Sequence, residues 1–322
     1  MEQALQFDRK YFDPAALATA RGAENKPLPT YLYSDEITLA VNLALATRRP
    51  LFVGGPPGTG KSSLADSVAA LLDWRYLPQV VTSRTRARDL QWHFDAVRRL
   101  SDAQLQGVDL PLRSHYVVPR ALWQAADPLS ARQFPSGGQR SAGPAPIDER
   151  ACVLLIDEID KAEPDVPNDL LEVLETASFN VDDLDEPLTV QGDRERLLIV
   201  IASNGERDMP AAFLRRCVVL TLPDPDADWL VRVADLHYKD GIADGLHRSV
   251  AELTRATARS AGRALGGRRP GTAEYLDAVL ACRQLNVQAD AKNPAWQRLE
   301  AVLLRKAAGA AAAPAPAAGG DA

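Results

Sequence analysis

The sequence predicts an α/β protein in which a parallel β-sheet lies between layers of helices, followed by a smaller all-helical domain. Two observations support this prediction. Short apolar runs of strand length alternate with helical or irregular sequence over the first two thirds of the chain, and only amphipathic helical stretches follow Asp224. Strands that are apolar on both faces are typical of a parallel sheet covered on two sides.

The predicted strands are short apolar runs. A helix over residues 31–47, with Ser34 as its N-cap, precedes the first run, Leu51–Gly54. Glycines and prolines end that run, and the helical segment Lys61–Leu72 follows, so the order is strand, loop, helix. The other predicted strands are 77–82, 152–156, 197–202 and 218–222.

These elements divide the chain into regions. We expect an N-terminal extension over residues 1–30, an α/β core over 31–223 and a helical domain over 224–306. The stretch 127–147 is rich in Pro, Gly and Ser and predicts a mobile surface insertion. The tail 307–322 is almost entirely Ala, Pro and Gly and predicts disorder. The helices expected in the second domain are 226–238, 247–260, 272–285 and 295–308.

Composition indicates a soluble, cytoplasmic protein. Of its 322 residues 46% are hydrophobic and 25% charged, and no apolar run approaches the roughly 20 residues that cross a bilayer. A net charge of −6 argues against general nucleic-acid binding, which depends on an excess of Lys and Arg. The cysteines Cys152, Cys217 and Cys282 are far apart and have no ligand spacing, so we expect reduced core thiols.

A phosphate-binding loop is predicted between the first strand and the helix that follows it. The residues fit the pattern GxxxxGK[ST] in the strand, loop and helix context that the mechanism needs. Backbone N–H groups of such a loop face phosphates at the positive end of a helix, while Lys61 is placed for the β and γ phosphates and Ser62 for Mg²⁺. The predicted nucleoside triphosphate site comprises Gly55, Pro56, Pro57, Gly58, Thr59, Gly60, Lys61, Ser62 and Ser63.

Polar residues at the ends of two further strands predict the other half of the site. Asp157 and Glu158 follow the strand 152–156, and we expect Asp157 to hold the metal and Glu158 to orient the attacking water. Asn204 ends the strand 197–202 and is placed to hold that water or to contact the γ-phosphate. Solvated loop acids and an ordinary turn residue are the alternatives.

Two arginines, Arg215 and Arg216, directly precede the strand 218–222. An arginine that projects from a subunit edge into the next subunit's site can neutralise transition-state charge. Where such a finger has been measured, the effect is worth roughly 10³ to 10⁵ in rate. An ordinary exposed pair is the alternative.

In this order, the motifs resemble those of an AAA+ ATPase, and more closely those of the MoxR family in its CoxD-like branch. The resemblance runs from about residue 31 to residue 283, and its family-specific segments are 81–90, 94–96, 178–181 and 212–217. It implies nucleotide and Mg²⁺ binding by Lys61 and Ser62, a Walker B pair Asp157 and Glu158, a sensor 1 residue Asn204, and a finger that is Arg216 or, as second choice, Arg215.

The same resemblance implies ATP as the nucleotide and a homo-oligomeric ring, usually a hexamer, with sites between subunits. Members of that family act as chaperone-like remodelling motors, often for a partner with a von Willebrand factor A domain. The sequence departs from the pattern at the second sensor arginine, where Arg268 and Arg269 precede Pro270 and are either substitutes or surface charges. It also departs in the insertion between Ser101 and Glu149.

A basic cluster with interleaved aromatic residues permits three interpretations. It is a solvated helix face with its aromatics packed inward, a partner or pore surface, or a stacking surface for bases. Its residues are Arg84, Arg86, Arg88, Trp92, Phe94, Arg98 and Arg99.

Three functions compete on this evidence. The leading hypothesis is ATP-driven remodelling of a protein partner. A nucleic-acid motor or a restriction-type NTPase subunit is the main alternative, and the acidic net charge counts against it. A nucleotide-binding switch with little turnover is the third, and the presence of Glu158, Asn204 and Arg216 counts against that one.

Overall fold

The computed structural model of the chain describes residues 6–23, 28–105, 109–134, 149–238, 245–261 and 269–305. The strands are β1 (Leu51–Gly54), β2 (Arg75–Val80), β3 (Trp92–Phe94), β4 (Val117–Pro119), β5 (Cys152–Asp157), β6 (Ser178–Val181), β7 (Leu188–Gln191), β8 (Leu197–Ser203) and β9 (Val218–Thr221). The helices are α1 (Pro14–Ala23), α2 (Asp35–Thr47), α3 (Lys61–Leu72), α4 (Ala87–Gln91), α5 (Ala96–Ala103), α6 (Ala121–Ala126), α7 (Pro128–Ala131), α8 (Val166–Asp169), α9 (Leu171–Thr176), α10 (Ala211–Leu214), α11 (Ala227–His237), α12 (Leu246–Ala261), α13 (Thr272–Gln284) and α14 (Pro294–Leu303).

Five strands form a parallel sheet in the order β2-β5-β8-β1-β9. The interior strands β5, β8 and β1 are almost wholly buried, as their continuous apolar sequences require. Helices flank this sheet, and the predicted fold class, an α/β core followed by an all-α domain, is confirmed. Since all its strands run the same way, the segments that follow β1, β5 and β8 emerge at one edge of the sheet.

The edge strand β2 contains a proline, Pro78, at a position where it removes no backbone hydrogen bond to the neighbouring strand β5. The N–H groups of Arg75 and Val81 donate toward β5, to Ala151 O at 2.7 Å and Asp157 O at 2.9 Å. Successive residues of a strand point their N–H groups to opposite sides. The nitrogen of Pro78 therefore faces the open side of the sheet.

The N-terminal segment is attached to the core through the side chain of Asn42. Phe12 is fully buried, and its N–H donates to Asn42 Oδ1 at 3.0 Å, as that of Tyr11 does at 3.1 Å. Asn42 Nδ2 donates in turn to Phe12 O at 2.7 Å and Thr38 O at 2.9 Å. Arg9 and Asp35 add an ion pair at 2.7 Å. Residues 6–23 thus belong to the folded core, and α1 among them was not predicted from the sequence.

Two antiparallel strand pairs among the described residues, β3 with β4 and β6 with β7, also lie outside the sequence prediction. Trp92 is buried and stacks on Phe179 with ring centroids 5.9 Å apart. Asp183, in the β6–β7 turn, accepts from Trp92 Nε1 at 3.1 Å and pairs with Arg88 and Arg113. The aromatic part of the basic cluster therefore packs inward, and an acidic residue faces two of the neighbouring arginines.

The predicted insertion 127–147 needs a correction at its beginning. Residues Pro128–Ala131 form α7, and Ala131 is buried against the core. Trp123 Nε1 donates to Ser130 Oγ at 2.7 Å, and the Phe134 ring lies 4.9 Å from that of Trp123. A Pro at N1 and an Asp127 cap start this helix, so helix-start signals are present within the Pro-rich composition. Residues 135–148 lie outside the described residues.

The chain divides into two compact units, Met1–Pro56 with Gly60–Pro223, and Pro57–Thr59 with Asp224–Ala322. In the second unit, α11 to α14 pack around a core that includes Tyr275 and Trp296, both fully buried. The tail 307–322 and Arg268 lie outside the described residues. Cys152, Cys217 and Cys282 are buried thiols, as predicted. Among the described residues, no helix has the length and apolar character to cross a membrane.

We predict that Asn42→Ala destabilises the protein by at least about 2 kcal/mol, because it leaves buried N–H and C=O groups of the N-terminal segment without partners. Urea unfolding followed by tryptophan fluorescence measures the change. Thr47→Ala, at an exposed position of the same helix, is the matched control. Equal stability of the two variants would contradict the anchoring role.

Candidate nucleotide site

The segment Gly55–Gly60 joins β1 to α3 with the backbone geometry of an anion-binding loop. Gly58 and Gly60 have φ values of 77° and 88°, in the left-handed region that other residues rarely adopt. A Cβ atom on Gly60 would also lie 3.3 Å from the ring of Tyr31. The first N–H groups of α3, from Lys61 onward, have no intrahelical acceptor, so this end of the helix favours an anion.

Lys61 lies over this loop. Its Nζ donates to Gly55 O and Pro56 O, each at 2.8 Å, and the residue is 6% exposed. Burial lowers the pKa of Lys61 below its ordinary value, while the negative charges of Asp157, Asp160 and Glu158 oppose that shift. Those carboxylates thus favour the ammonium form that phosphate binding needs.

Ser62 and Asp157 make the contact that joins the two halves of the predicted site. Ser62 Oγ donates to Asp157 Oδ2 at 2.5 Å, although the residues come from α3 and from the end of β5. Asp157 Oδ1 accepts from the N–H of Glu158 at 2.9 Å. A hydroxyl and a carboxylate oxygen in contact are the hard ligands that Mg²⁺ prefers. Both predicted metal residues therefore lie together.

Glu158 directly follows β5 in a left-handed conformation, with φ 59° and ψ 40°. Such backbone strain is concentrated at functional sites. Its carboxylate accepts from Lys161 Nζ at 2.7 Å, and this hydrogen bond raises the pKa of Lys161. The sequence analysis did not single out Lys161, although an acid and a base three residues apart is a recognised pairing signal on helical backbone.

Asn204 follows β8, the strand between β1 and β5, so it lies at the same edge of the sheet as the phosphate loop and Asp157. Its N–H donates at 3.1 Å to Asp160 Oδ2, and that of Glu206 donates to the same oxygen at 3.0 Å. Asp160 is a site-forming residue that the sequence analysis missed. The available signal was its place just after the Asp157–Glu158 pair.

Arg215 and Arg216 are exposed and lie at the amino ends of the strands, opposite the carboxyl ends that the phosphate loop follows. They precede β9, whose first residue, Val218, pairs with Leu51, while Gly54 at the end of β1 pairs with Thr221. Three residues of strand span roughly 10 Å. The arginines are therefore separated from this chain's own phosphate loop by more than the length of β1.

A carboxylate contacts the predicted finger. Arg216 Nε donates to Glu175 Oε2 at 3.0 Å, and its Nη1 donates to Ala212 O at 3.2 Å. Arg49, just before β1, donates from Nε to Arg216 O at 3.1 Å and from Nη2 to Arg215 O. The backbone of the arginine pair is thus fixed, while both side chains face solvent.

The remaining predicted residues lie in the phosphate loop, in α3 and in the second unit. Pro57 and Thr59 lie in the phosphate loop, and Ser63 lies in the first turn of α3 with its side chain exposed. Arg269 is half exposed, with its Nη1 4.0 Å from Asp224 Oδ2 in the second unit, and Arg255 pairs with the same carboxylate at 2.9 Å. Arg269 as a substitute second sensor stays a prediction.

Comparison with known proteins defines the class to which this site belongs. The sequence matches the profile of the AAA domain, dynein-related subfamily, over residues 50–217. It is 29% identical over 213 residues to a Lon protease from Heliobacterium modesticaldum, and this match covers 64% of the chain but only 22% of that protease.

Solved structures give a weaker likeness. The Thermotoga maritima RuvB Holliday junction branch migration motor is 16% identical, with a TM-score of 0.43 over 83% of this chain and 67% of that one. Two variants of the same motor have TM-scores of 0.45 and 0.44, at 17% and 16% identity, and cover 68% and 67% of their chains.

The fold and the matched segment define a P-loop ATPase of the AAA+ class, which binds nucleotide and hydrolyses it. The matched segment begins just before β1, includes the phosphate loop and the ends of β5 and β8, and reaches Cys217. Because it covers more than half of the chain, the chain belongs to the AAA domain family, dynein-related subfamily.

We predict that Asp157→Asn lowers the pKa of Lys61, because a neutral amide removes the carboxylate that most strongly opposes the effect of burial. The measurement is competitive labelling of amines with acetic anhydride across the alkaline pH range, read by peptide mass spectrometry. The labelling midpoint of Lys61 should move to lower pH.

The matched variant is Glu158→Gln, which removes the negative charge that Lys161 contacts and should lower the midpoint of Lys161, with a smaller shift at Lys61 than Asp157→Asn produces. Lys292, in the second unit, serves as the internal reference. An unchanged Lys61 midpoint in Asp157→Asn would show that the two charges do not interact as the geometry requires.

Proposed function

We propose that this ATPase is a MoxR-type AAA+ motor that uses Mg²⁺ and ATP to remodel or mature a protein partner. The observation that carries the proposal is the contact of Ser62 with Asp157, beside Lys61 over the phosphate loop. These three side chains are the set needed to hold a nucleotide–metal complex. The support for MoxR rather than another AAA+ type is the set of sequence segments 81–90, 94–96, 178–181 and 212–217.

The residues fit the proposed ligands. The N–H groups at the start of α3 and the left-handed Gly58 and Gly60 suit phosphate oxygens, with Lys61 as the cation. Ser62 Oγ and Asp157 would hold Mg²⁺, the latter directly or through its water shell. When bound, the metal neutralises charge on the phosphates.

Glu158 and Asn204 are proposed to act on the attacking water. Glu158 is the general base, a role typically worth 10² to 10⁴ in rate. In the structure its carboxylate contacts Lys161, so a Lys161 side chain that swings away frees the base for the water. Asn204, on the neighbouring strand, orients the same water or the γ-phosphate.

Arg216 is proposed to complete the site of a neighbouring subunit, with Arg215 as the second choice. The pair is exposed and lies at the amino ends of the strands, away from the phosphate loop of its own chain. A contribution to the site of a neighbouring subunit therefore fits the geometry better than one to its own site. This arrangement supports a homo-oligomeric ring, and the family resemblance favours a hexamer. Release of Arg216 from Glu175 would accompany engagement.

The proposed client is a protein and not a nucleic acid, because Trp92 is buried and Asp183 pairs with Arg88 and Arg113. Stacking on bases needs exposed rings, and phosphate contacts need unpaired cations. A partner with a von Willebrand factor A domain is the specific client that the resemblance favours, in the cytoplasm. A nucleic-acid motor is the second candidate function, and recovery of nucleic acid with the ATP-bound protein would favour it.

We predict that Arg216→Ala lowers ATP turnover about 10³-fold, because it removes the finger, and that Glu158→Gln lowers it at least about 10²-fold, because it removes the base. Mixing the two inactive proteins should restore part of the activity. Some sites in the mixed assembly then combine an intact Glu158 from one subunit with an intact Arg216 from the next. Phosphate release measures the recovery.

The control is a mixture of Lys61→Ala with Glu158→Gln, whose defects lie in the same site and cannot complement each other. Arg215→Ala mixed with Glu158→Gln decides between the two arginines. Activity that stays at background in every mixture would mean that neither arginine acts across a subunit boundary.

We predict that Glu158→Gln, which should bind ATP without hydrolysing it, retains a specific protein from a lysate only when ATP is present. Lys61→Ala, which should not bind ATP, is the matched control. Recovered proteins are identified by mass spectrometry and nucleic acid by staining. Recovery of nucleic acid in place of protein, lost at raised salt, would favour the nucleic-acid motor.

A further inference from the structure

Asp160 is a buried carboxylate beside the proposed site, and its side chain bonds to the turn after β8. It lies in the 3-10 turn Ile159–Lys161 that follows the Glu158 position, and it is 5% exposed. A buried charge is tolerated only where hydrogen bonds replace its water. The partners of Asp160 therefore show what keeps it there.

Those partners are backbone groups of the segment that contains Asn204. Asp160 Oδ2 accepts from Asn204 N–H at 3.1 Å and from Glu206 N–H at 3.0 Å, while Gly205 N–H between them donates to Ser203 Oγ at 3.0 Å. One carboxylate oxygen thus fixes two alternate N–H groups of the turn after β8. The backbone from which the Asn204 side chain starts is set by this bond.

The same turn is clamped from the other direction. Arg207 Nη2 donates to Asp160 O at 2.9 Å and to Ala162 O. The segment 204–207 is therefore tied both to the side chain and to the main chain of the segment that follows β5. Because Asp157 ends β5 and Glu158 begins that segment, these hydrogen bonds connect the strand-end acids to the Asn204 turn.

We infer that Asp160 is a positioning residue for Asn204, which fixes the distance between that side chain and the Asp157–Glu158 pair. The inference rests on the proposed role of Asn204 and deepens it. Asp160 itself touches backbone, and its hydrogen bonds act on the reaction through the placement of the Asn204 turn.

Two features separate this role from simple packing. The bonds of Asp160 go to one functional turn rather than to the surrounding core, and they are charge-assisted, about twice as strong as bonds to a neutral acceptor. Moreover, its Oδ1 is buried without a hydrogen-bond partner among the described residues. An amide at this position can keep one acceptor oxygen on the two N–H groups, so Asp160→Asn is a near-isosteric variant that weakens the tie without removing it.

The first test measures the tie directly, by amide hydrogen exchange in the full-length protein. Asp160→Ala should speed exchange at Asn204 and Glu206, Asp160→Asn should speed it less, and Asp165→Ala should leave it unchanged. Asp165 is the matched control, an exposed acid a few residues along the chain. Unchanged exchange at both amides in Asp160→Ala would overturn the inference, whatever the activity.

The second test asks whether Asp160 acts through Asn204, by a double-mutant cycle on ATP turnover. We expect Asn204→Ala to lower kcat about 10²-fold and Asp160→Ala at least about 10-fold, both with little change in KM, since Lys61 and Ser62 are untouched. In the Asn204→Ala background, Asp160→Ala should lower kcat less than 2-fold further. Asp160→Asn should recover most of the activity.

The outcomes separate the possible failures. If Asp160→Ala lowers kcat equally in both backgrounds, or raises KM together with a fall in melting temperature, its role is structural and the inference is overturned. If Lys61→Ala and Glu158→Gln keep full turnover, the proposed function itself fails. Should Asp160→Ala not fold, amide exchange in Asp160→Asn carries the test, and unchanged exchange at both Asn204 and Glu206 there would equally overturn the inference.

Discussion

The parallel direction of the strands is the constraint on which the rest of the structure depends. It brings the carboxyl ends of β1, β5 and β8 to one edge of the sheet, and the phosphate loop, the Asp157–Glu158 pair and Asn204 follow these ends. The order of the strands places β8 between the other two, so the Asn204 turn lies between loop and acids. A change in that order would separate groups that are far apart along the chain.

Hydrogen bonds then tie these strand ends to each other more closely than the sheet alone would. The Ser62–Asp157 contact links α3 to β5, and Asp160 links the end of β5 to the end of β8. Each bond uses a charged carboxylate that burial would otherwise disfavour. Electrostatics adds to this, because the acids of this group also counter the effect of burial on the charge of Lys61. The polar network is therefore part of the fold as well as of the site.

The sequence predicted the elements whose signals are local. The N-cap Ser34, the start of α3 at Lys61 and the apolar runs of β5 and β8 were placed within one or two residues, because caps, glycines and buried strands each leave a short pattern. The AAA+ fold followed from their order. Predictions for the individual site residues and for the domain boundaries stay predictions.

Features that depend on distant partners were missed. The strands β3, β4, β6 and β7 are three or four residues long, too short for a period to show, and they exist because they pair with one another. The bond from Asp160 to the Asn204 turn spans 44 positions, and Asn42 holds Phe12 across 30. The local sequence of Asn42 does not distinguish a residue that anchors remote backbone from one that faces water, and that of Asp160 offers only its place just after the Asp157–Glu158 pair.

The proline of β2 has a consequence for how copies of this protein can meet. An open sheet edge with an unbroken row of N–H donors invites a strand from another molecule to extend it, which is the first step toward amyloid-like aggregation. Pro78 removes one donor from that row, since its nitrogen faces outward. Subunits are thereby discouraged from joining by strand addition at β2, and association through side-chain surfaces is left as the favoured route at this edge.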